Sequence, residues 1–251
     1  MKFVKESNLP EKAKTIIIGE KYSRILDKPL ENLGIEVVYV PDNPDVDGRL
    51  AGHADLSVAH LGEKKMALAP YLKGSGFADY FSELGCELLF PDMQQGEKYP
   101  RDAALNICLC GKCFFYNPKS AEKMIVDYLT NEKGKNGLSI KQGYSKCCIC
   151  VVDENTIISS DQGIHERAVN TGYDSLLISP GHIELPGFNY GFIGGASFKL
   201  SRHELAFTGH LDMHPDKNII LNFLSLHNIK PVYITEKPAF DIGSCIQIVE
   251  K

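Results

Sequence analysis

Short apolar runs, each about the length of one strand, alternate along the chain with polar turns and with amphipathic stretches whose apolar residues recur every three or four positions. The runs predict strands and the amphipathic stretches predict helices. Their order is strand, tight turn, strand, helix, strand, and it recurs at roughly fifty-residue intervals, the mark of an internal repeat. The first unit opens with Ala54–Ala59, turns at Gly62–Lys64, returns through Lys65–Ala69, and continues with a helix over Asp79–Leu84 and a strand over Cys86–Phe90. The second opens with Asp102–Ile107, turns at Gly111-Lys112, returns through Cys113–Asn117, starts a helix at Ser120 and closes on Leu138–Ile140. The third runs Cys147–Val152, Thr156–Ser160, a helix over Gly163–Asn170 and a strand over Asp174–Ile178. The fourth runs Ala196–Leu200, Glu204–Thr208, a helix over Lys217–His227 and a strand over Pro231–Ile234.

A fifth unit opens with Ser244–Val249 and stops where the sequence stops; its other parts lie at the opposite end, with Lys14–Ile18 as second strand, Tyr22–Leu33 as helix and Ile35–Val40 as third strand. One repeat divided between the termini is how a ring closes, because pairing the last strand with the first segment removes the sheet edges that an open array must protect. The predicted fold is therefore an α/β ring of five ββαβ modules with five-fold pseudosymmetry, one domain over residues 1–251. A doubly wound open sheet with a hairpin insertion is the alternative that α/β alternation also suits. No glycine-rich phosphate loop with dinucleotide spacing supports it: Gly74-Ser75-Gly76 lies in a loop, and Gly194-Gly195 precedes a strand instead of following one.

Composition narrows the function classes. A chain of 251 residues that is 43% hydrophobic can bury a large core. The net charge of -5 is spread without a basic block, so nucleic acid and anionic membrane are not expected partners. The N-terminus, Met1-Lys2-Phe3-Val4-Lys5-Glu6, lacks a signal-peptide core, and no run is long enough to span a bilayer, which leads to a cytoplasmic expectation. The eight cysteines then read as thiols. Cys110-Gly111-Lys112-Cys113 has the spacing of a zinc knuckle, but Gly111-Lys112 also suits a tight hairpin turn with small buried thiols on either side.

Two stretches resemble the pentein fold of the guanidino-group-modifying enzymes, the superfamily of arginine and agmatine deiminases, dimethylargininase and the amidinotransferases. Asp241-Ile242-Gly243-Ser244-Cys245-Ile246 is similar to the family's last motif, in which a nucleophilic cysteine opens the final inner strand. His53-Ala54-Asp55-Leu56-Ser57-Val58 is similar to the acidic residue and apolar strand that open the first module. The resemblance implies a five-fold α/β propeller, Cys245 as nucleophile and Asp55 as ligand of a substrate guanidinium. It implies no cofactor, and the cysteine and histidine clusters are not expected to hold a metal. A carboxylate can hold a guanidinium bidentately while a thiolate attacks its central carbon, provided an acid protonates the leaving amine.

The family takes that acid from a histidine ahead of the third inner strand, where this chain has Tyr144. A substitute is sought in Pro180-Gly181-His182-Ile183-Glu184-Leu185, with His182 and Glu184 as an oriented acid–base pair. Arg101 and Asp102 open the second module as Asp55 opens the first, and with Tyr144 and Asn189, from the aromatic and glycine-rich stretch 188–195, they are the further substrate-binding candidates. His210, Asp212 and His214 have metal-ligand chemistry but read more simply as the polar loop before a helix. Three functions follow: a cysteine-dependent hydrolase or transferase acting on a guanidine or amidine, a pentein-fold binding or scaffold protein without catalysis, or a zinc protein organised by the cysteine cluster. A homodimer is the base-rate expectation for assembly.

Overall fold

The computed structural model describes residues 1–92 and 95–251. In chain order its elements are β1 (Lys2–Phe3), β2 (Ala13–Gly19), α1 (Ser23–Asn32) and β3 (Glu36–Val40), followed by β4 (Val58–His60), β5 (Lys65–Leu68), α2 (Gly76–Glu83) and β6 (Glu87–Leu89). Then come β7 (Cys108–Cys110), β8 (Cys113–Tyr116), α3 (Lys123–Asp127) and β9 (Asn136–Ser139), and after a short helix α4 (Ser145–Cys148), β10 (Ile149–Asp153), β11 (Thr156–Ser159), α5 (Gln162–Val169) and β12 (Asp174–Leu177). The chain ends with β13 (Ser197–Ser201), β14 (Glu204–Phe207), α6 (Lys217–Leu226), β15 (Lys230–Tyr233) and β16 (Ile246–Glu250).

These strands form five small sheets, each made of an antiparallel hairpin whose second strand pairs in parallel with a third. The helix between second and third strands supplies the crossover a parallel pair needs. In the fifth sheet β16 pairs antiparallel with β2, placing Ile246 opposite Ile17, and β2 pairs in parallel with β3. The two termini thus share one module, as the divided repeat implied. The unforeseen two-residue strand β1 adds to the other edge of β16.

Side-chain alternation explains how these sheets pack. Along β2, Ile16 and Ile18 join a cluster with Phe198 and Leu200 of the fourth module, while Ile17 points the other way, into a cluster with Val58 and Met66 of the first. Along β10, Cys150 and Val152 face the fourth module and Ile149 and Val151 face the second. The first and second modules share a cluster containing Ala59, Leu109 and Phe114. Each sheet is therefore buried on both faces, which is why its strands read as nearly continuous apolar runs. Ile248, fully buried in the cluster around β16, is a direct probe of the terminal pairing. Ile248→Ala is expected to lower stability by about 2–5 kcal/mol. The check is a urea titration with Leu226→Ala, on an 80% exposed site, as the control that shifts the midpoint little.

The inner strands begin later than their apolar patterns suggested. Ala54–Leu56, Arg101–Ala103 and Ser145–Cys148 are helical turns, and the strands start at Val58, Cys108 and Ile149. Local bonds such as Leu56 N to His53 O and Cys148 N to Tyr144 O close these turns. The polar residues Asp55, Asp102 and Lys146 sit in them because a turn can present a side chain at a strand mouth, whereas a strand would force it into an apolar interface. The second module's helix likewise starts at Lys123, with Glu122 accepting from the Met124 N–H. Gly111 takes φ 53° in the tight turn between β7 and β8, which places Cys110 opposite Cys113 in the ladder. The Cys110 thiol donates to the Asp153 carbonyl, so the zinc-like spacing has an ordinary hairpin explanation. No helix among the described residues is long and apolar enough to cross a membrane.

Candidate functional site

The turns before β4 and β10, the stretch 185–192 and Asp241 surround a cavity of about 300 Å³, lined in part by Leu50, His53, Tyr144, Cys147 and Asn189. At its base the Cys147 thiol donates to Asp55 Oδ2 over 2.8 Å, and Asn106 Nδ2 donates to the same sulfur over 3.4 Å. Asn106 Oδ1 accepts the backbone N–H groups of Lys146 and Cys147, fixing the start of α4 against the second module. His53 completes a group in which one ring nitrogen, one Asp55 oxygen and the Cys147 sulfur all lie within 4.8 Å of one another. Such a nitrogen, oxygen and sulfur set is also one that zinc accepts.

Three polar atoms here are buried without a hydrogen-bond partner: His53 Nε2, Asp55 Oδ1 and Asp102 Oδ1. Buried polar groups are normally satisfied, and of these three residues His53 lines the cavity, so its free nitrogen is one that a ligand there would complete. Burial pushes the Asp55 carboxyl up to about 7; the Cys147 hydrogen bond opposes the rise, and the Asp241 charge adds to it. Burial and then the Asp55 charge hold the Cys147 thiol well above its ordinary value, so the sulfur keeps its proton. Burial lowers His53, partly opposed by Asp241, which leaves a neutral imidazole.

Asp241 shapes the mouth. Its Oδ2 accepts from Phe192 N and its Oδ1 from Gly243 N, tying the 188–195 stretch to the turn before β16. Only glycine fits at 195, where a Cβ would stand 1.9 Å from Asp241 Oδ1. The Tyr144 hydroxyl donates to Asp102 Oδ2 over 2.5 Å, which orients the ring toward the cavity, and Tyr144 and Phe192 continue the wall with ring centroids 6.4 Å apart.

The sequence candidates distribute unevenly over this geometry. Tyr144 and Asn189 line the cavity; Asp102 lies behind Tyr144 and Asp55 behind Cys147, where Asp55 borders a separate cavity of about 20 Å³ with His60 and Lys146. Cys245 is buried in the apolar cluster between the terminal and fourth modules, outside the cavity lining, and burial raises its thiol. The neighbouring Ser244 instead accepts from Lys146 Nζ over 2.6 Å. His182 is exposed, takes φ 61°, and faces His214 across 5.7 Å. Glu184 is joined to Asp241 and Ala239 through its backbone while its side chain points to solvent. Arg101 is exposed beside Gly96. Two residues that the sequence reading did not select, His53 and Cys147, are central here. The first stood two places before Asp55 in the same motif; the second was hidden among cysteines that pattern as buried strand residues.

Comparison with solved structures gives the same fold at low identity. The chain matches an amidinotransferase of the saxitoxin biosynthetic pathway from Microseira wollei with TM-score 0.63 and 10% identity, covering 99% of this chain and 98% of that one. It matches the inosamine-phosphate amidinotransferase of Streptomyces griseus with TM-score 0.60 and 9% identity, over 99% and 97%. It matches the agmatine deiminase of C. jejuni with TM-score 0.56 and 12% identity, over 98% and 97%. All three are penteins, and the fold of this chain is the pentein fold. No curated protein matches by sequence. A family model does match, over residues 17–246, and the chain accordingly belongs to the group described as "Family of unknown function (DUF6873)".

Proposed function

We propose that the five modules close into a propeller whose cavity binds a guanidine- or amidine-bearing small molecule, and that Cys147 acts on it as a covalent nucleophile. The observation that carries this reading is the Cys147 thiol, which faces the cavity together with His53 and is hydrogen-bonded from behind to Asp55, a buried carboxyl whose other oxygen is unpaired. A planar cation satisfies the free oxygen, draws the carboxyl into its ionised form, and brings its central carbon to the sulfur.

In this reading neutral His53 takes the Cys147 proton, the sulfur bonds to the guanidinium carbon, one C–N bond breaks, and the departing amine receives the proton from His53. The resulting thiouronium is released when water, or an acceptor amine in a transferase, adds to the same carbon and the C–S bond breaks, returning a proton to sulfur. For hydrolysis the net change is guanidinium plus water to urea plus ammonium, with no redox step. His53 thereby fills the acid–base role that the sequence motif assigns to His182 and Glu184.

The test is inactivation by 2-chloroacetamidine against iodoacetamide, with the labelled peptide identified by mass spectrometry. Because the resting thiol is protonated, iodoacetamide is expected to react slowly, while the amidinium probe labels Cys147 saturably. Saturable labelling of Cys245 would keep the class and move the nucleophile. Slow, unsaturable labelling by both reagents would favour the non-catalytic binding protein.

A further inference from the structure

We infer that the cavity selects a guanidine or amidine whose remaining part is uncharged and apolar, and disfavours the amino-acid form of such a molecule; this rests on the reading above. The base is polar and acidic, whereas the walls are Leu50, Leu56, Leu185, Phe188, Tyr190 and Phe192. Among the described residues no lysine or arginine lines the cavity.

The nearby cations are already engaged. Arg49, at the mouth, binds Asp47 through Nε (2.9 Å) and Nη2 (2.6 Å), donates from Nη1 to Gly187 O over 2.8 Å, and stacks on Phe188 at 4.3 Å. Lys146 lies behind Asp55 with its Nζ on Ser244, and Lys21 donates to the Arg49 carbonyl. A ligand carboxylate in this cavity would lose water, find no positive partner and lie near Asp241. An aromatic or alkyl tail would instead meet the Phe192 and Tyr190 rings, which stand edge to face at 6.2 Å. The polar end of the ligand therefore faces His53, Asp241 and the Cys147 thiol with Asp55 behind it, and its apolar end faces the 188–192 wall.

Calorimetric titration of the whole protein with benzylguanidine and with L-arginine tests this. Benzylguanidine is expected to bind roughly 10- to 100-fold more tightly, the range set by leaving a buried charged group unpaired. Tyr190→Arg, at a rim position 41% exposed and so tolerant of change, is expected to narrow that ratio about tenfold by giving the carboxylate a partner. Arginine binding as tightly as benzylguanidine to the unaltered protein would overturn the inference and leave the guanidine reading standing. Absence of binding by both compounds would overturn the two together.

Discussion

Asp55→Asn is expected to weaken binding of a guanidinium ligand by about 2–5 kcal/mol, roughly 30-fold to several-thousand-fold, because it removes the charged partner in a buried site. The same substitution should raise stability above neutral pH. The folded-state pKa of about 7 lies above the ordinary 3.8, so as pH rises the unfolded chain ionises first. The stability contributed by the neutral carboxyl is complete below about pH 4 and is lost as pH passes about 7, at a cost of up to about 4 kcal/mol. Asparagine cannot ionise, so melting curves should show Asp55→Asn gaining on the unaltered protein between pH 5 and pH 8. Affinity for the cation runs the opposite way in the unaltered protein: it falls up to about tenfold per unit below pH 7, as the carboxyl takes up a proton before binding. A variant that lost neither affinity nor pH dependence would remove Asp55 from the site.

The sites of the five modules were legible because burial on both sheet faces writes continuous apolar runs, and hairpin turns such as Gly111-Lys112 separate them. The divided module was legible for the same reason: β2 and β16 each read as half of a repeat. The strand starts were not. Ala54, Ala104 and Cys147 are apolar enough to extend a strand pattern, and what distinguishes the turns they occupy is hydrogen bonding to residues three or four positions away. That displacement decides what Cys147 meets. Read as the first strand residue, Cys147 points into a core; at the end of a helical turn it meets Asp55, which lies 92 positions away in the sequence. His182 and Glu184 show the converse limit, since their motif is local while their surroundings are set by His214 and Ala239 from distant segments.

Cys147→Ser is expected to abolish turnover and saturable amidine labelling, while Cys245→Ser leaves the labelling rate within a few-fold and acts on stability instead. The two thiols differ in what surrounds them. Cys147 has a hydrogen-bond acceptor in Asp55, a donor in Asn106, an imidazole within 4.8 Å and a face on the cavity. Cys245 packs among Ile18, Phe198, Ile242 and other apolar side chains, and Lys146 is the charge whose proximity offsets part of the burial effect on its thiol. A serine at 245 would place a hydroxyl in that cluster, at a cost of about 1–3 kcal/mol if it finds no partner. Retained labelling in a protein with a lower unfolding midpoint is thus the expected phenotype of Cys245→Ser. The reverse pattern, with labelling lost in Cys245→Ser and kept in Cys147→Ser, would mean that the C-terminal motif carries the nucleophile and that the turn 243–245 rearranges when a cation binds. A double variant separates the two cases from simple loss of fold: if Cys147 alone reacts, adding Cys245→Ser to Cys147→Ser lowers stability and changes labelling no further.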